Sequence, residues 1–344
     1  MQPYADFSFV LQGPITSGDP LRTQATLLRS VFPGCTLILS GFSLDPAAAS
    51  DARLKASFDA TVAALRGDYD TVVLTEQPPA LPNLKIDSGG NNVNRQVAST
   101  LAGLRAVTTQ YAVKVRNDAH LVSPALADRF LALATVGERP RAVGAGRILV
   151  SSFFTLDPRH DERMLYHVSD WVQVGFTEDL LAYWTMPEFL LDQAVYYLWH
   201  HYAPGSTSSE RRFLARYAVE QWLTLCYARR KFDVRLEYHN DFDATRLAEF
   251  EEFLVDNFIV FRPESIGLVL PKYWYLNRSI GTEAKCYDHN DWARLAARRG
   301  VTSPWTEPRR TMSGPMRDLY LASRPFLNRL IFPRGLIRLA GREI

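Results

Sequence analysis

The chain has 344 residues, of which 47% are hydrophobic and 12% aromatic. That is enough apolar surface to bury one large α/β core. The 39 basic and 37 acidic residues leave a net charge of +2, which argues against nucleic acid as the principal ligand.

Three cysteines, Cys35, Cys226 and Cys286, are spread widely along the chain. Their spacing fits neither a disulfide framework nor a zinc site, and it favours a reducing compartment. The N-terminal segment has no signal-peptide pattern, and no stretch approaches the roughly 18 apolar residues of a transmembrane helix. We therefore expect a cytoplasmic protein, at most peripheral on the inner membrane.

The first half of the chain alternates short β-rich runs with amphipathic segments. We predict strands over Phe7 to Leu11, Thr36 to Ser40, Thr71 to Leu74 and Tyr111 to Val115. This alternation predicts an α/β fold with a doubly wound, mostly parallel sheet. Ligands bind such sheets beyond the carboxyl ends of the strands, so the residues after each strand are the first candidates for a site.

Before the fourth predicted strand, a segment rich in glycine and asparagine, residues 87–92, leads into a predicted amphipathic helix. The helix cap is expected to come from Asn91, Asn92 or Asn94. Backbone N–H groups and the positive end of the dipole would then face an anion such as a diphosphate.

Beyond residue 140 the pattern is less regular. We predict a strand with a loop over residues 143–154, a short helix over Thr177 to Trp184 and an amphipathic helix over Tyr217 to Arg230. The tail from Pro308 to Ile344 carries eight arginines among apolar residues. It suits either the anionic face of a membrane or an ordinary helical pair packed on the domain.

These patterns predict one domain over residues 1–275, with a nucleotide-binding half (1–122) and an acceptor half (123–275). Residues 276–344 are expected to form a basic helical extension.

The main chemical signal follows the fourth predicted strand, where Arg116, Asp118 and His120 alternate. Two acidic residues separated by one position at a strand end can hold a divalent metal against a diphosphate. Because His120 takes the place of the second acid, Asp118 and His120 either bind a metal together or act separately on water and phosphate. Arg116 is expected to neutralise a diphosphate. The alternative is that Asp118 only caps a turn.

Other candidate donor-binding residues follow the first strand and begin the asparagine-rich helix. Gln12, Gly13 and Pro14 are expected to wall a nucleotide base or ribose. Asn91, Asn94 and Arg95 are expected near its phosphates, although the same pattern also suits a solvated helix with a polar entry loop.

Two carboxylates are candidates for the base that deprotonates an acceptor hydroxyl. Asp170 follows His167 and Ser169, which would share one side with Trp171 if this segment were a strand. Glu220 lies near the start of a predicted helix, where an acid is also favoured by the dipole alone. The sequence does not choose between Asp170 and Glu220.

Several of these segments form an ordered series along the chain. They are Phe9 to Ile15, Phe32 to Gly34 with Leu37 to Ser40, Asn91 to Gln96 with Ser99, Thr100, Gly103 and Leu104, Lys114 to Asp118, Ser169 to Trp171 with Gly175, Glu220-Gln221, and Asp256 to Phe258 through Pro271 to Tyr273. In this order, over residues 7–275, the chain resembles the WavE-type lipopolysaccharide-synthesis family.

The resemblance implies a GT-A-like glycosyltransferase that uses a nucleotide-sugar donor and a lipopolysaccharide-core, capsule or other surface-glycan acceptor. Asn117 and His120 depart from a plain two-aspartate motif, so a divalent metal, Mn²⁺ or Mg²⁺, is implied less directly. The alternatives are a transferase of a nucleotide-activated polyol or phosphosugar, and a non-catalytic scaffold of glycan assembly. Product analysis separates the two transferases, and binding of nucleotide-linked compounds separates either from a scaffold.

Overall fold

A computed structural model of the chain describes residues 3–15, 18–87, 90–160, 162–277 and 279–308, together with residues 316, 319 and 323. The predicted membrane contact of the arginine-rich tail therefore falls almost wholly outside the described residues.

The described strands and helices alternate through the first half of the chain. The strands are β1 Phe7–Gln12, β2 Thr36–Phe42, β3 Thr71–Thr75, β4 Tyr111–Arg116, β5 His120–Leu121, β6 Ile148–Ser151, β7 Val172–Phe176, β8 Phe258–Phe261 and β9 Leu268–Val269. The helices are α1 Gly18–Val31, α2 Pro46–Ser50, α3 Ala52–Leu65, α4 Val93–Arg105, α5 Ala125–Leu133, α6 Thr177–Trp184, α7 Leu191–Ala194, α8 Val219–Ala228, α9 Ala244–Asn257, α10 Trp274–Asn277, α11 Ile280–Lys285 and α12 His289–Ala296.

Within the described residues, seven strands form one sheet in the order β3-β2-β1-β4-β7-β6-β8. The pairs among β1 to β4 are parallel, as is the pair of β6 with β8. Only β7 runs antiparallel to its neighbours in this sheet. The predicted α/β class with a mostly parallel sheet is confirmed, and each of the four predicted strands extends one or two residues further than expected.

The order of the first four strands creates a switch point in the sheet. The chain moves outward from β1 to β3 and then returns through α4 to β4, on the other side of β1. Because parallel crossovers are right-handed, this reversal places α4 on the face opposite to α1 and α3. The carboxyl ends of β1 and β4 therefore flank a crevice of the kind in which such sheets bind ligands.

Helix α4 lies unusually close to the strands that lead to this crevice. A Cβ atom at Gly103 would lie 2.4 Å from Val10 Cγ1 and 2.8 Å from Ser40 Cβ. The absence of a side chain at Gly103 thus allows α4 to rest directly on β1 and β2, and this fixes the height of its N-terminal end above the sheet.

The later elements agree in part with prediction. The helix over Thr177–Trp184 has the predicted bounds, α8 lies within the predicted helix over residues 217–230, and β6 lies within residues 143–154. The segment from His167 to Trp171 is not a strand, because β7 begins only at Val172. His167, Ser169 and Trp171 therefore do not share one side through the alternation of a strand.

The segment after residue 279 packs against the sheet as far as it is described. Trp292 Nε1 in α12 donates to the carbonyl of Phe258 at 2.6 Å, and His289 Nδ1 lies 2.9 Å from the carbonyl of Val260. These bonds attach α12 to β8, while the division into a domain and a basic extension stays a prediction.

Within the described ranges, none of the helices combines the length and the apolar content that a bilayer-spanning segment requires.

Candidate functional site

A cleft of about 650 Å³ opens at the carboxyl ends of β1 and β4, a volume suited to a small-molecule ligand. Its lining residues come from strand ends, the start of α4 and a distant segment of the chain. They are Gln12, Gly13, Pro14, Pro20, Leu21, Phe42, Gln77, Asn92, Arg95, Gln96, Arg116, Asn117, Asp118, His120, Pro271 and Lys272. The sheet thus brings most of the sequence-predicted donor residues to one wall.

The two strand ends are tied together through Asn117. Its backbone N–H donates to the carbonyl of Gln12 at 2.9 Å, and its side-chain amide donates to the carbonyl of Pro14 at 2.8 Å. Gly13 has a φ of +152°, and a Cβ there would lie 2.2 Å from Asn117 Oδ1. Glycine at this position is therefore required for the close approach that shapes the cleft floor.

Gln12 also connects β1 to α4. Its side-chain amide donates to Ser99 Oγ at 2.8 Å, and Ser40 Oγ donates to the carbonyl of Ser99 at 2.6 Å. These bonds are buried, so they set the position of α4 against the strand ends that it serves.

Arg116 and Asp118 form a two-pronged ion pair on the cleft wall. Arg116 Nε and Nη2 donate to the two carboxylate oxygens of Asp118 at 2.9 and 2.8 Å. The guanidinium also stacks over the ring of Trp171, with its carbon 4.0 Å from the ring centroid. Both the paired geometry and the aromatic face restrict the orientation of Arg116.

The pKa of Asp118 responds to two opposing influences. Burial alone would raise the pKa, but the hydrogen bonds and charge of Arg116, together with the charge of Lys272, hold it below its usual value. Asp118 is therefore a carboxylate at neutral pH, already matched by a cation of the chain itself.

Lys272 is brought to the cleft from a segment more than 150 positions after Asp118 in the chain. The ring of the adjacent Tyr273 packs edge-on against Trp171, with the ring centroids 4.9 Å apart. Through this contact, the segment that carries Lys272 and the side chain of Arg116 rest on the same tryptophan.

The start of α4 contributes Arg95 and Gln96 to the cleft. Arg95 Nε donates to the carbonyl of Pro78 at 2.9 Å, which holds the side chain along the loop after β3. Gln96 Nε2 donates to Asp170 Oδ2. Gln96 thus links the cleft to a buried group of ionisable residues beneath it, which is formed by Asp170 and Lys114.

Asn91 and Asn94 lie outside the cleft wall. Asn91 is buried, and its Oδ1 accepts from the backbone N–H of Val93 at 3.2 Å. Asn94 exchanges two hydrogen bonds with the backbone of Phe189, at 3.0 and 2.9 Å. Both side chains therefore hold the loops around α4, and Asn92, at the cap position, makes no side-chain cap bond.

Asp170 belongs to the buried group beneath the cleft. Asp170 is only 3% exposed, and its Oδ2 lies 3.9 Å from Nζ of the fully buried Lys114. Lys114 also donates to the backbone carbonyl of Asp170. Burial lowers the pKa of Lys114 to about 8, against the opposing charge of Asp170.

Glu220 lies beside the same group but is more accessible, with 22% of its side chain exposed. Its Oε2 is 3.5 Å from Nε2 of His167, whose Nδ1 lies 2.9 Å from the carbonyl of Phe154. Burial raises the pKa of Glu220, the charge of Asp170 adds to the rise, and His167 opposes it. A carboxylate with a raised pKa in such a group is typical of a general base or acid.

Comparison with protein families matches residues 7–310 to the family described as WavE lipopolysaccharide synthesis. The chain belongs to this family. The predicted resemblance is therefore confirmed, and it covers the whole sheet and the cleft.

Several solved structures resemble the WavE-family chain weakly. An active-site mutant of LgtC shares 10% identity, with 87% of this chain and 98% of LgtC covered and a TM-score of 0.35. The mannosyltransferase PcManGT from Pyrobaculum calidifontis, in complex with GDP-Man and Mn²⁺, shares 11% identity. The match covers 96% of this chain and 81% of PcManGT, with a TM-score of 0.32. S. aureus TarS shares 11% identity, with 96% of this chain and 73% of TarS covered and a TM-score of 0.31. No curated protein matches the chain.

The resemblance implied a divalent metal at Asp118 and His120, and the arrangement of these two residues in the cleft of the WavE-family chain does not fit one. Both oxygens of Asp118 accept from Arg116, and His120 Nδ1 is buried without a hydrogen-bond partner. In the part of the chain that the structure describes, no three His, Cys, Asp or Glu side chains are grouped to hold a metal ion. As they lie here, Asp118 and His120 do not form a metal site, and their role as ligands stays a prediction.

Sequence reasoning left Lys114, Gln96 and Lys272 without a role. Lys114 had a usable signal, because a lysine inside an apolar strand is rarely buried without a specific partner. Gln96 and Lys272 had none, since their importance comes from long-range contacts with Asp170 and the cleft.

Proposed function

We propose that this WavE-family protein is a glycosyltransferase that moves a sugar from a nucleotide-activated donor to a lipopolysaccharide-core, capsule or other surface-glycan acceptor. One observation carries the proposal: Arg95, Arg116 and Lys272 gather with Asp118 at the switch point of a parallel sheet. Such a cluster suits a diphosphate, which is the leaving group when a sugar is transferred from a nucleoside diphosphate.

The donor is placed across the ends of β1 and β4. Gln12, Gly13 and Pro14 wall the base or ribose, because they form the floor between the strand ends. Arg95 and Arg116 face the diphosphate. The sugar then points toward Gln96 and the buried group beneath it.

The proposed general base is Glu220. Its side chain is more exposed than that of Asp170, and its raised pKa brings proton uptake closer to neutral pH. Asp170 already accepts from Gln96 and pairs with Lys114. Its proposed role is to hold Lys114 and Gln96 in place and to help raise the pKa of Glu220.

The proposed location is the cytoplasm, with peripheral attachment to the inner membrane. The arginine-rich, apolar segment from Pro308 to Ile344 supports this attachment, because each basic residue near an anionic surface contributes about 1 kcal/mol. A glycolipid acceptor embedded in that surface would then lie close to the enzyme.

A donor screen tests the proposed function. The protein is heated with UDP-, GDP-, CDP- and CMP-linked sugars, and a true donor should stabilise it by about 2.7 kcal/mol at a hundredfold excess over Kd. Products made with the best donor are then analysed for a glycosidic linkage. A product that retains phosphorus in the new linkage would indicate polyol or phosphosugar transfer, and the absence of any stabilising compound would favour a scaffold.

A further inference from the structure

We propose that fixed cations of the chain, and not a divalent metal, hold the leaving diphosphate, and that Asp118 serves as the positioning residue of Arg116. This inference rests on the proposed function and concerns how the same cleft performs it. It departs from the metal-binding interpretation of Asp118 and His120 that the sequence suggested.

The carboxylate of Asp118 is already paired with a cation of the chain. Arg116 occupies both of its oxygens at 2.9 and 2.8 Å in the planar fork geometry that arginine forms with carboxylates. A metal ion bound to Asp118 would lie next to the guanidinium of Arg116, and the two positive charges would repel each other.

The nearby groups also offer few ligands for a metal. Asp170 accepts from Gln96 and pairs with Lys114, and Glu220 faces His167. A divalent cation such as Mg²⁺ is usually held by one or two carboxylates together with substrate phosphates and water. The cleft lining offers one carboxylate, Asp118, and both oxygens of that carboxylate already accept from Arg116.

The positive charge that a metal would supply is already on the cleft wall. Three cations, Arg95, Arg116 and Lys272, and one carboxylate, Asp118, line the cleft, which leaves two positive charges. This equals the charge of the divalent ion that many sugar transferases use. A diphosphate can therefore bind without a metal to neutralise it.

These cations are also held in place before a ligand arrives. Arg116 stacks on Trp171 and is fixed by Asp118, while Tyr273, the neighbour of Lys272, packs edge-on against the same tryptophan. The ion pair uses Nε and Nη2 of Arg116 and does not involve Nη1. Such preorganised donors stabilise charge that develops in a transition state, because they need no rearrangement during the reaction.

The charge develops when the donor is cleaved. The bond between the anomeric carbon of the sugar and the diphosphate oxygen breaks, and its electron pair stays on the diphosphate. The acceptor oxygen forms the new bond to that carbon, and its proton passes to Glu220. The added negative charge thus appears on the group that Arg116 and Lys272 face.

Nucleotide binding measured with and without metal tests this inference. The nucleotide diphosphate or monophosphate of the best donor is titrated into the full chain by calorimetry, once in excess EDTA and once in excess Mn²⁺. We expect Kd values that agree within about threefold, and glycosyl transfer that continues in EDTA. Binding or transfer that requires Mn²⁺ would overturn this inference alone. Absence of binding under both conditions would overturn the proposed function with it.

Variants of the cations give a second measurement. Arg116→Lys and Lys272→Met should each weaken nucleotide binding in EDTA by about tenfold or more, because lysine cannot form the fork and methionine removes a charge. The matched controls Arg22→Lys and Lys55→Met change exposed residues outside the cleft and should leave Kd unchanged. Unchanged binding in both cleft variants would contradict the inference.

Asp118→Asn separates a positioning residue from a metal ligand. It removes a negative charge near the diphosphate, so Kd in EDTA should not rise, while kcat should fall by about a hundredfold because Arg116 loses its orientation. A metal ligand would behave differently, since the same variant would weaken binding only in Mn²⁺. That result would overturn the assignment of Asp118.

Discussion

At the scale of single residues, the candidate site depends on which ionisable groups are already paired. Asp118 is matched by Arg116, and Asp170 by Lys114, whereas Oε2 of Glu220 lies 3.5 Å from the imidazole of His167. Arg116 holds the pKa of Asp118 below its usual value, whereas burial raises the pKa of Glu220. The different partners of Asp170 and Glu220 make the two candidate bases distinguishable by experiment.

Glu220→Gln should lower kcat by at least about a hundredfold and leave the donor KM nearly unchanged, because it removes proton transfer but not binding. Because the pKa of Glu220 is raised, Glu220 is protonated at a higher pH than an ordinary glutamate. The activity of the unaltered enzyme should therefore begin to fall at that higher pH as the pH is lowered. Initial rates measured across pH 5 to 8 would show this limb, and Glu220→Gln should lack it.

Asp170→Asn provides the comparison for that variant. It leaves the buried Lys114 without its counter-charge, so it should lower the free energy of unfolding by about 3 kcal/mol. Urea denaturation measures this loss, which Glu220→Gln should not share. A stable Asp170→Asn protein with no turnover, next to an active Glu220→Gln protein, would reverse the two assignments.

At the scale of elements, the cleft depends on how α4 rests on β1 and β2. The helix carries Arg95 and Gln96 at its start, and its contact with the strands lies at Gly103, about two turns later. A change in that contact should therefore alter both stability and the position of the cleft wall.

Gly103→Ala tests this contact. Alanine in a helix usually stabilises by up to about 1 kcal/mol relative to glycine, but here its Cβ would lie 2.4 Å from Val10 Cγ1. We expect a net loss of about 1–3 kcal/mol in urea denaturation, together with weaker nucleotide binding. Gly90→Ala is the control, because a Cβ there meets no atom within 4 Å. Equal stability of the two variants would contradict the close packing of α4.

At the scale of the whole molecule, stability should depend on pH through two buried histidines. His239 and His289 each have a pKa of about 4, because burial disfavours their charged forms. Their ordinary pKa is 6.5, so between pH 6.5 and 4 the unfolded chain binds more protons than the folded one. The free energy of unfolding should therefore fall as the pH falls through this window.

From pH 7 to pH 5 we expect each buried histidine to lower the free energy of unfolding by about 2 kcal/mol. Urea denaturation at several pH values measures the slope. His289→Gln should flatten it, whereas the exposed control His201→Gln should not. A slope unchanged by His289→Gln would contradict the neutral, buried state of this residue.

The C-terminal arginines give the second prediction at this scale. Replacing arginines 334, 338 and 342 with glutamine should weaken binding to anionic lipid vesicles by about 1 kcal/mol for each charge, and the loss should shrink in high salt. Vesicle sedimentation measures the change. The control replaces three exposed arginines of the described fold, Arg53, Arg66 and Arg105. Equal binding by both triple variants would argue against membrane attachment through this segment.

The sequence by itself determined the first four strands and the helices over Thr177–Trp184 and within residues 217–230, and it pointed to the carboxyl edge of the sheet as the place of the candidate site. Periods of 2 and 3.6 residues and the Gln12 and Asp118 strand ends are local features, and local features can be read from neighbouring residues. Only the tertiary structure decided which side chains contact each other in and around the candidate site. Lys272 reaches the cleft, Lys114 meets Asp170 and Asn94 turns to Phe189 through contacts between distant parts of the chain. Such pairings depend on distance in space and on burial, which no local pattern encodes.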